Sequence, residues 1–342
     1  MTDIKSLNYD ELVTYMAGLG EKKFRAGQLY QWMHEKLADS FDECTNLSNA
    51  LRQKLKETSE YVCLEPVRVQ HSKLDGTEKY LFRLSDGNYV ESVLMKYHHG
   101  NSVCISSQVG CRMGCRFCAT GRQGLQHSLS TNEILNQIES LPERERLTNV
   151  VFMGMGEPLD NLDSLLPALE VLTSAWGFGW SPTRITVSTA GVASRLERFL
   201  EATQVHLAVS LHNPFPHERA EIMPIEKAWP IREVVEILRR YDFTHQRRVS
   251  FEYIVMSGLN DSPRHIRELC RLLDGIKCRI NLIRFHKIPG SPYFSPDDRA
   301  MIAFRDALTA KGIHTTIRTS RGEDIQAACG LLSTAQNEAA QF

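Results

Sequence analysis

Cys111, Cys115 and Cys118 stand in a C-x3-C-x2-C spacing within "SVCISSQVGCRMGCRFCATG" (102–121), a stretch holding four of the chain's nine cysteines. Thiolates are ligands for zinc and for iron–sulfur clusters. A structural zinc site is closed by four ligands, usually as two short-spaced pairs, and no second cysteine pair or histidine pair stands nearby. Three thiolates on a four-iron cluster leave one iron open. Such a vacancy is useful only if a substrate or cofactor fills it, so the missing ligand would be the point of the spacing. Gly110 and Gly114 let the loop fold tightly around a bulky group, and Phe117 can shield one side. A zinc site or buried structural thiols is the competing reading.

Other reactive residue types recur at comparable places. In "FMGMGEP" (152–158), glycines let backbone approach a ligand, and Glu157 can accept from an ammonium. Ser188, Ser210 and His212 offer hydroxyls and an imidazole, although each alone also reads as a satisfied polar side chain at a strand end. Cys104 precedes the cluster, and Cys329 lies far away in "RGEDIQAACG". Cys44, Cys63, Cys270 and Cys278 read as buried, inert thiols. By composition Glu91, in "YVESVLM", is an exposed strand carboxylate, and Met153 is core packing or soft surface near a reacting sulfur. Arg112, Arg116, Arg122, Arg247, Arg248, Arg318 and Arg321 are candidate phosphate contacts, with a solvated surface as the alternative for each. Lys22, Lys23 and Arg25 read as a solvated helix face.

The elements that must position these residues show in the periodicity. Apolar strand-like runs recur at "SVCISS", "NVVFMGMG", "RITVSTA", "VHLAVSLH", "VSFEYIVM", "CRINLIRFH" and "HTTIRTS". Helix-like segments at 130–140, 161–175, 191–202, 230–241, 263–274 and 297–311 separate most of them. Such alternation implies parallel strands with right-handed crossovers, here an α/β fold with a partial (β/α)6 TIM-like barrel. The chemistry of a barrel sits at the carboxyl ends of its strands, where the cysteines, "GMGEP", Ser188, Ser210-Leu211-His212 and His286 all fall. Residues 1–60 read as a small helical domain, with Phe24, Leu29, Trp32 and Met33 on one face of its second helix. Residues 61–97 read as a β-extension with a hairpin turn at "SDGN", 98–332 as the core and 333–342 as a tail.

Composition is that of a globular protein: 342 residues, 42% hydrophobic and 24% charged. The net charge of −1 excludes a global positive field, so nucleic acid would need a local patch. The start "MTDIKSLNYDEL" lacks a basic-then-apolar signal and no apolar run spans a bilayer, so a cytoplasmic protein without membrane association is expected.

The three-cysteine loop after a strand that opens a β/α series resembles the radical S-adenosylmethionine superfamily. "CISSQVGC", "FMGMGEP", "SLH", "RGEDIQAACG" and that loop, in this order, look like the RlmN/Cfr family of RNA adenine methyltransferases over about residues 80–332. The resemblance implies a [4Fe-4S] cluster on Cys111, Cys115 and Cys118, and two S-adenosylmethionine molecules per turnover. It implies cofactor contacts from Gly156, Glu157, Ser188, Ser210, Leu211, His212 and His286, the last where the family often has Asn. It further implies that Cys329 carries the methyl group, Cys104 forms a transient disulfide with it, and Glu91 accepts a proton. The implied substrates are 23S rRNA and tRNA, the implied electron donor a reductase or flavodoxin-type protein, and the implied state a monomer. Pro158 leans toward the branch that methylates carbon 2 of adenine rather than the antibiotic-resistance branch that methylates carbon 8. A metal-stabilised, non-catalytic RNA-binding module and a radical enzyme acting on a peptide or another enzyme remain the readings from other classes.

Overall fold

The computed structural model describes residues 1–243, 248–325, 327 and 330–333. It opens with helices α1 (Tyr9–Gly18), α2 (Lys23–His34) and α3 (Asn49–Thr58). Asn8 caps α1 with a capping box to Glu11, and the Ser48 hydroxyl caps α3 through the Leu51 amide. Leu12, Met16, Leu29, Tyr30, Met33, Leu51 and Leu55 are buried where these helices meet. Phe24 departs from the expected apolar face and is 54% exposed, since its position turns away from the packing stripe.

Next come β1 (Pro66–His71), β2 (Glu78–Arg83), β3 (Tyr89–Tyr97) and β4 (Gly100–Cys104). A side ribbon of β5 (Gln108–Cys111) and β6 (Gly124–Ser128) encloses the short helix α4 (Ala119–Gln123). The alternating part follows: α5 (Thr131–Glu139), β7 (Leu147–Phe152), α6 (Leu162–Thr173), β8 (Ile185–Thr189), α7 (Ala193–Ala202), β9 (His206–Ser210), α8 (Pro216–Ile222), α9 (Ile231–Arg239), β10 (Val249–Val255), α10 (Pro263–Leu272), β11 (Cys278–Arg284), α11 (Asp298–Ala310) and β12 (His314–Ile317).

Among the described residues, ten strands form one sheet in the order β12-β11-β10-β9-β8-β7-β4-β3-β2-β1. From β4 to β12 the neighbours are parallel, which is the α/β core that the periodicity indicates. Strands β1 to β3 extend the same sheet antiparallel, so residues 61–97 do not stand apart from it. Alternation fixes what each strand offers the interior. On β8, Ile185, Val187 and Thr189 are buried, whereas Thr186 and Ser188 line cavities on the other face.

The chain beyond β12 crosses from one sheet edge to the other. The Gly322 amide donates to Asp75 Oδ2 (3.0 Å), the Ser72 hydroxyl to Asp324 Oδ1 (2.6 Å) and the Lys73 amide to Asp324 Oδ2 (2.8 Å). The helical unit docks on α5 through buried charge: Lys5 pairs with Glu139, and His34 Nδ1 lies 3.0 Å from its other oxygen. Cys63 is exposed rather than buried, and Cys270 and Cys278 are half-buried. Among the described residues no helix is long and apolar enough to cross a membrane.

Candidate functional site

The three-cysteine loop runs from the end of β5 to the start of α4. Gly110 has φ +72°, and a Cβ there would run into the Gly124 carbonyl, so the ribbon closes only with glycine. A Cβ on Gly121 would come within 2.9 Å of the Cys115 amide nitrogen, so α4 packs directly on the loop. The Cys118 amide donates to the Cys115 carbonyl (3.1 Å), and the Arg116 amide ties the loop to Ile222 of α8 (2.9 Å). Burial pushes the Cys111 thiol up to about 12 and raises Cys118, while burial and the two neighbouring cysteines raise Cys115 well above its usual value.

These thiols line a cavity of about 250 Å³ at the carboxyl ends of the strands. The wall facing them is the 152–158 segment. Gly154 donates to the Ile105 carbonyl (3.0 Å), and a Cβ there would sit 2.6 Å from that oxygen. Gly156 has φ +99°, and its Cβ would fall 2.6 Å from Gln108 Cβ. Glu157 is 3% exposed. Its Oε1 accepts from the Thr189 hydroxyl (2.6 Å) and the Leu159 amide (3.1 Å), and its Oε2 accepts from the Ala190 amide (2.7 Å). Burial nonetheless raises the Glu157 carboxyl to about 7.

Ser188, Ser210 and His212 line the same cavity. His212 is a non-glycine residue at φ +56°. Its Nδ1 accepts from the Ile254 amide (3.0 Å) and its carbonyl from Asn260 Nδ2 (2.7 Å), and Phe117 meets its ring edge-on at 4.9 Å. Burial, with Arg219 adding to it, lowers His212 to about 3, so the ring is neutral. Leu211 packs in the core, and its side chain is off the cavity wall. His286 is also off that wall: it is exposed just past β11, with Nε2 3.2 Å from the Ser320 hydroxyl.

Glu91 is 2% exposed, which corrects the expectation of an exposed carboxylate. Lys79, fully buried on β2, lies 2.8 Å from its Oε2. The Gly330 amide donates to the same oxygen (2.9 Å) and the Ser333 amide to Oε1 (2.6 Å). Cys104 is buried with Val93 and Met95, and Met153 and Ala327 pack against that group. Cys329 lies outside the described residues, as does Arg247. Described neighbours on both sides of Cys329 are thus held, Ala327 on the Cys104 group and Gly330 on Glu91.

Sequence reasoning missed Lys79, Gln108, Arg219, Glu252 and Arg279. Arg219 is buried, pairs with Glu226, and donates to the carbonyls of Ala190 (2.8 Å), Ser210 (2.9 Å) and Leu211 (3.0 Å), binding the ends of β8 and β9 together. Glu252 lines the cavity from β10. Its place in "VSFEYIV", a polar residue inside an apolar run, was the available signal. Of the arginines proposed for phosphate, Arg112 pairs with Asp160 (2.9 Å), Arg122 donates to the Pro289 carbonyl (2.6 Å), and Arg321 sits 3.8 Å from Asp75.

Among the described residues, no three His, Cys, Asp or Glu side chains close around a single ion. Cys111, Cys115 and Cys118 are spread around a cavity wall instead, an arrangement that suits a bulky cluster held by thiolates.

The chain matches two family models: the radical SAM superfamily over residues 105–273, and the ribosomal RNA large subunit methyltransferase N-terminal domain over residues 2–61. A curated relative from Lachnospira eligens, named "Probable dual-specificity RNA methyltransferase RlmN", is 59% identical over 97% of this chain and 96% of its own length. A relative of the same name from Bacteroides fragilis is 52% identical over 96% of this chain and 95% of its own. The crystal structure of a radical SAM methyltransferase from Sphaerobacter thermophilus superposes with a TM-score of 0.90 at 39% identity, covering 96% of this chain and 98% of that one.

Proposed function

This chain belongs to the RlmN family of radical SAM methyltransferases, and from that premise we propose that it methylates carbon 2 of adenine in 23S rRNA and in tRNA next to the anticodon. The dual-specificity name of its relatives supports the two RNA classes. The observation that carries the reading is the meeting of three thiols, the 154–157 backbone, Ser188, Ser210 and His212 on one cavity.

Carbon 2 of adenine is electron-poor and has no lone pair, so direct displacement on a sulfonium has no nucleophile there. Cys111, Cys115 and Cys118 would hold a four-iron cluster, which when bound supplies the electron that splits S-adenosylmethionine and so opens a radical route. Gly156 and Glu157 orient that cofactor, with Glu157 accepting from its ammonium group, while Ser188, Ser210, the Leu211 backbone and His212 hold its remainder. His286 reaches the cofactor only by leaving Ser320. Cys329 takes a methyl group from one S-adenosylmethionine by nucleophilic displacement, and S-adenosylhomocysteine leaves. The carbon carried on Cys329 would lose one hydrogen atom to the radical that a second bound S-adenosylmethionine supplies, and could then bond to the adenine ring. Glu91 accepts the ring proton. Cys104, as a thiolate, attacks the Cys329 sulfur, forming a disulfide and breaking the bond from sulfur to the RNA-borne carbon, which takes up a proton to become the methyl group while the remaining odd electron would pass back to the cluster.

Residues 1–60 serve as an RNA-binding accessory, 61–97 as the link to it and 98–332 as the catalytic core. The chain acts as a monomer with a flavodoxin-type electron donor. Cluster-loaded Cys104→Ala protein, supplied anaerobically with methyl-labelled S-adenosylmethionine, should carry label on Cys329. Mass spectrometry of RNA digested after wild-type turnover should find 2-methyladenosine. Unlabelled Cys329 in protein that still methylates RNA, or methylation at carbon 8, overturns the reading.

A further inference from the structure

A second cavity, of about 190 Å³, lies on the same inner face of the sheet, toward the amino ends of the strands. Met153, Glu252 and Arg318 line both cavities, so the two adjoin. Its wall also includes Val151, which with Met153 packs on the Cys104 group that Ala327 covers. The space is therefore flanked by the cluster cavity and by the cysteine proposed to resolve the methyl carrier.

Arg248, Arg279 and Arg318 converge on it. Among the described residues no carboxylate forms an ion pair with any of the three, and the closest side-chain partner of Arg318 is the Met153 sulfur, at 3.0 Å. Partial burial lowers Arg279 and Arg248 lowers it further, against the Glu252 carboxylate, which raises it. Three arginines share the recess with a single carboxylate, Glu252, so positive charge is in excess there and a further anion would relieve the repulsion. A second group is also unsatisfied. Glu252 is 3% exposed, and its Oε1 accepts from Asn281 Nδ2 (2.7 Å) and the Ser250 hydroxyl (3.1 Å). Its Oε2 is buried and accepts from no donor among the described residues. A buried carboxylate oxygen without a donor calls for one.

We propose that this cavity receives the target nucleotide, with RNA phosphates on Arg248 and Arg279 and the exocyclic amino group of adenine donating to Glu252 Oε2. The inference rests on the RNA methylation reading and assigns the substrate side of that site. It makes Glu252 a specificity-determining residue. Guanine presents a carbonyl where adenine has its amino group, and that oxygen would face the Glu252 lone pairs.

The test uses cluster-loaded full-length protein and a tRNA anticodon stem-loop carrying either adenosine or purine riboside, which lacks the amino group, at the target position. Arg279→Gln should raise the KM for RNA about tenfold and reduce the salt slope of RNA affinity by about 0.7–0.9 for the lost phosphate. S-adenosylmethionine binding should stay within about twofold, and Arg279→Lys should recover most of the slope. Glu252→Gln should cost about tenfold in kcat/KM with adenosine and little with purine riboside, a pattern that a merely structural carboxylate would not produce. Unchanged KM and salt slope in Arg279→Gln overturn the phosphate assignment. Loss of inorganic phosphate binding in that variant with RNA kinetics intact overturns it too, by assigning a free anion. Weaker S-adenosylmethionine binding in Glu252→Gln, with equal losses on both RNAs, gives the carboxylate to the cofactor and overturns the base contact. Wild-type protein that does not methylate RNA counts against the preceding reading, whereas wild-type turnover with indifferent variants counts only against this one.

Discussion

Lys79 Nζ lies 2.8 Å from Glu91 Oε2, and both side chains are almost wholly buried between neighbouring strands of the sheet. The same carboxylate receives the amides of Gly330 and Ser333. Glu91 therefore anchors the segment after Cys329, and Lys79 compensates the charge that allows it to do so. A buried carboxylate without such a partner is costly.

Lys79→Met should destabilise the protein by roughly 3–5 kcal/mol, because it strands an uncompensated buried charge. RNA methylation should fall sharply while S-adenosylmethionine binding persists, since the cofactor cavity is walled by other residues. The double variant Lys79→Met/Glu91→Gln should regain much of the stability and none of the activity. Thermal melts and equilibrium dialysis check both halves, and a double variant no more stable than the single would contradict the pairing argument.

Glu157 gives a pH prediction. Burial raises its carboxyl to about 7, so below that value the apoprotein holds it neutral and unable to pair with an ammonium. S-adenosylmethionine affinity should therefore rise about fivefold from pH 6 to pH 7 and about twofold more by pH 8, then level off. For stability the sign is opposite: a raised carboxyl favours the fold below its ordinary value near 4.5, and that contribution is lost as pH rises through about 7. Glu157→Gln should flatten the binding profile. A wild-type profile that is already flat would show that the carboxylate does not meet the ammonium.

Gly156→Ala tests the close approach of backbone to the cavity. The new Cβ would lie 2.6 Å from Gln108 Cβ, at φ +99°. Strain of about 1–3 kcal/mol should lower the melting temperature by several degrees. The Glu157 amide, held 2.9 Å from Gln108 Oε1, should shift with it, weakening S-adenosylmethionine binding at least tenfold. Ala at Gly258, which also has positive φ but nothing within 4 Å, is the control for backbone strain alone.

Much of this was legible in the chain because period and motif are local properties. The segment 130–140 became α5 and 263–274 became α10, since their apolar spacing is helical and Ser130 and Ser262 cap them. The cysteine spacing and "GMGEP" lie on one cavity because both follow parallel strands whose carboxyl ends share an edge of the fold. Pairing, by contrast, is non-local. Nothing in "EKYLFR" says that Lys79 will sit diagonally from Glu91, since that depends on Leu81 pairing with Glu91 across two strands. Gln108–Cys111 read as loop because the motif overlapped a short ribbon strand whose partner lies beyond the cysteines. Glu252 and Arg279 were hidden for a different reason: the inner face of this sheet is polar, so side chains that alternation alone sends to solvent point into a cavity.

The docking of the helical unit should be acid-labile in a defined window. Burial pushes the Glu139 carboxyl up, but Lys5 and His34 overcome that and hold it at about 2, below its ordinary 4.5. A depressed carboxyl contributes stability that is fully present above 4.5 and disappears as pH falls toward 2. The wild-type melting temperature should therefore drop across that interval more than that of Glu139→Gln, which starts lower at neutral pH because Lys5 is left buried without its charge partner. Other carboxylates titrate in the same range, so the difference between the two proteins carries the information. Hydrogen exchange should place the acid-induced opening in residues 1–60 and in α5 before the sheet. Curves that stay parallel from pH 5 to pH 2 would mean that Glu139 is not what fastens the unit to the core.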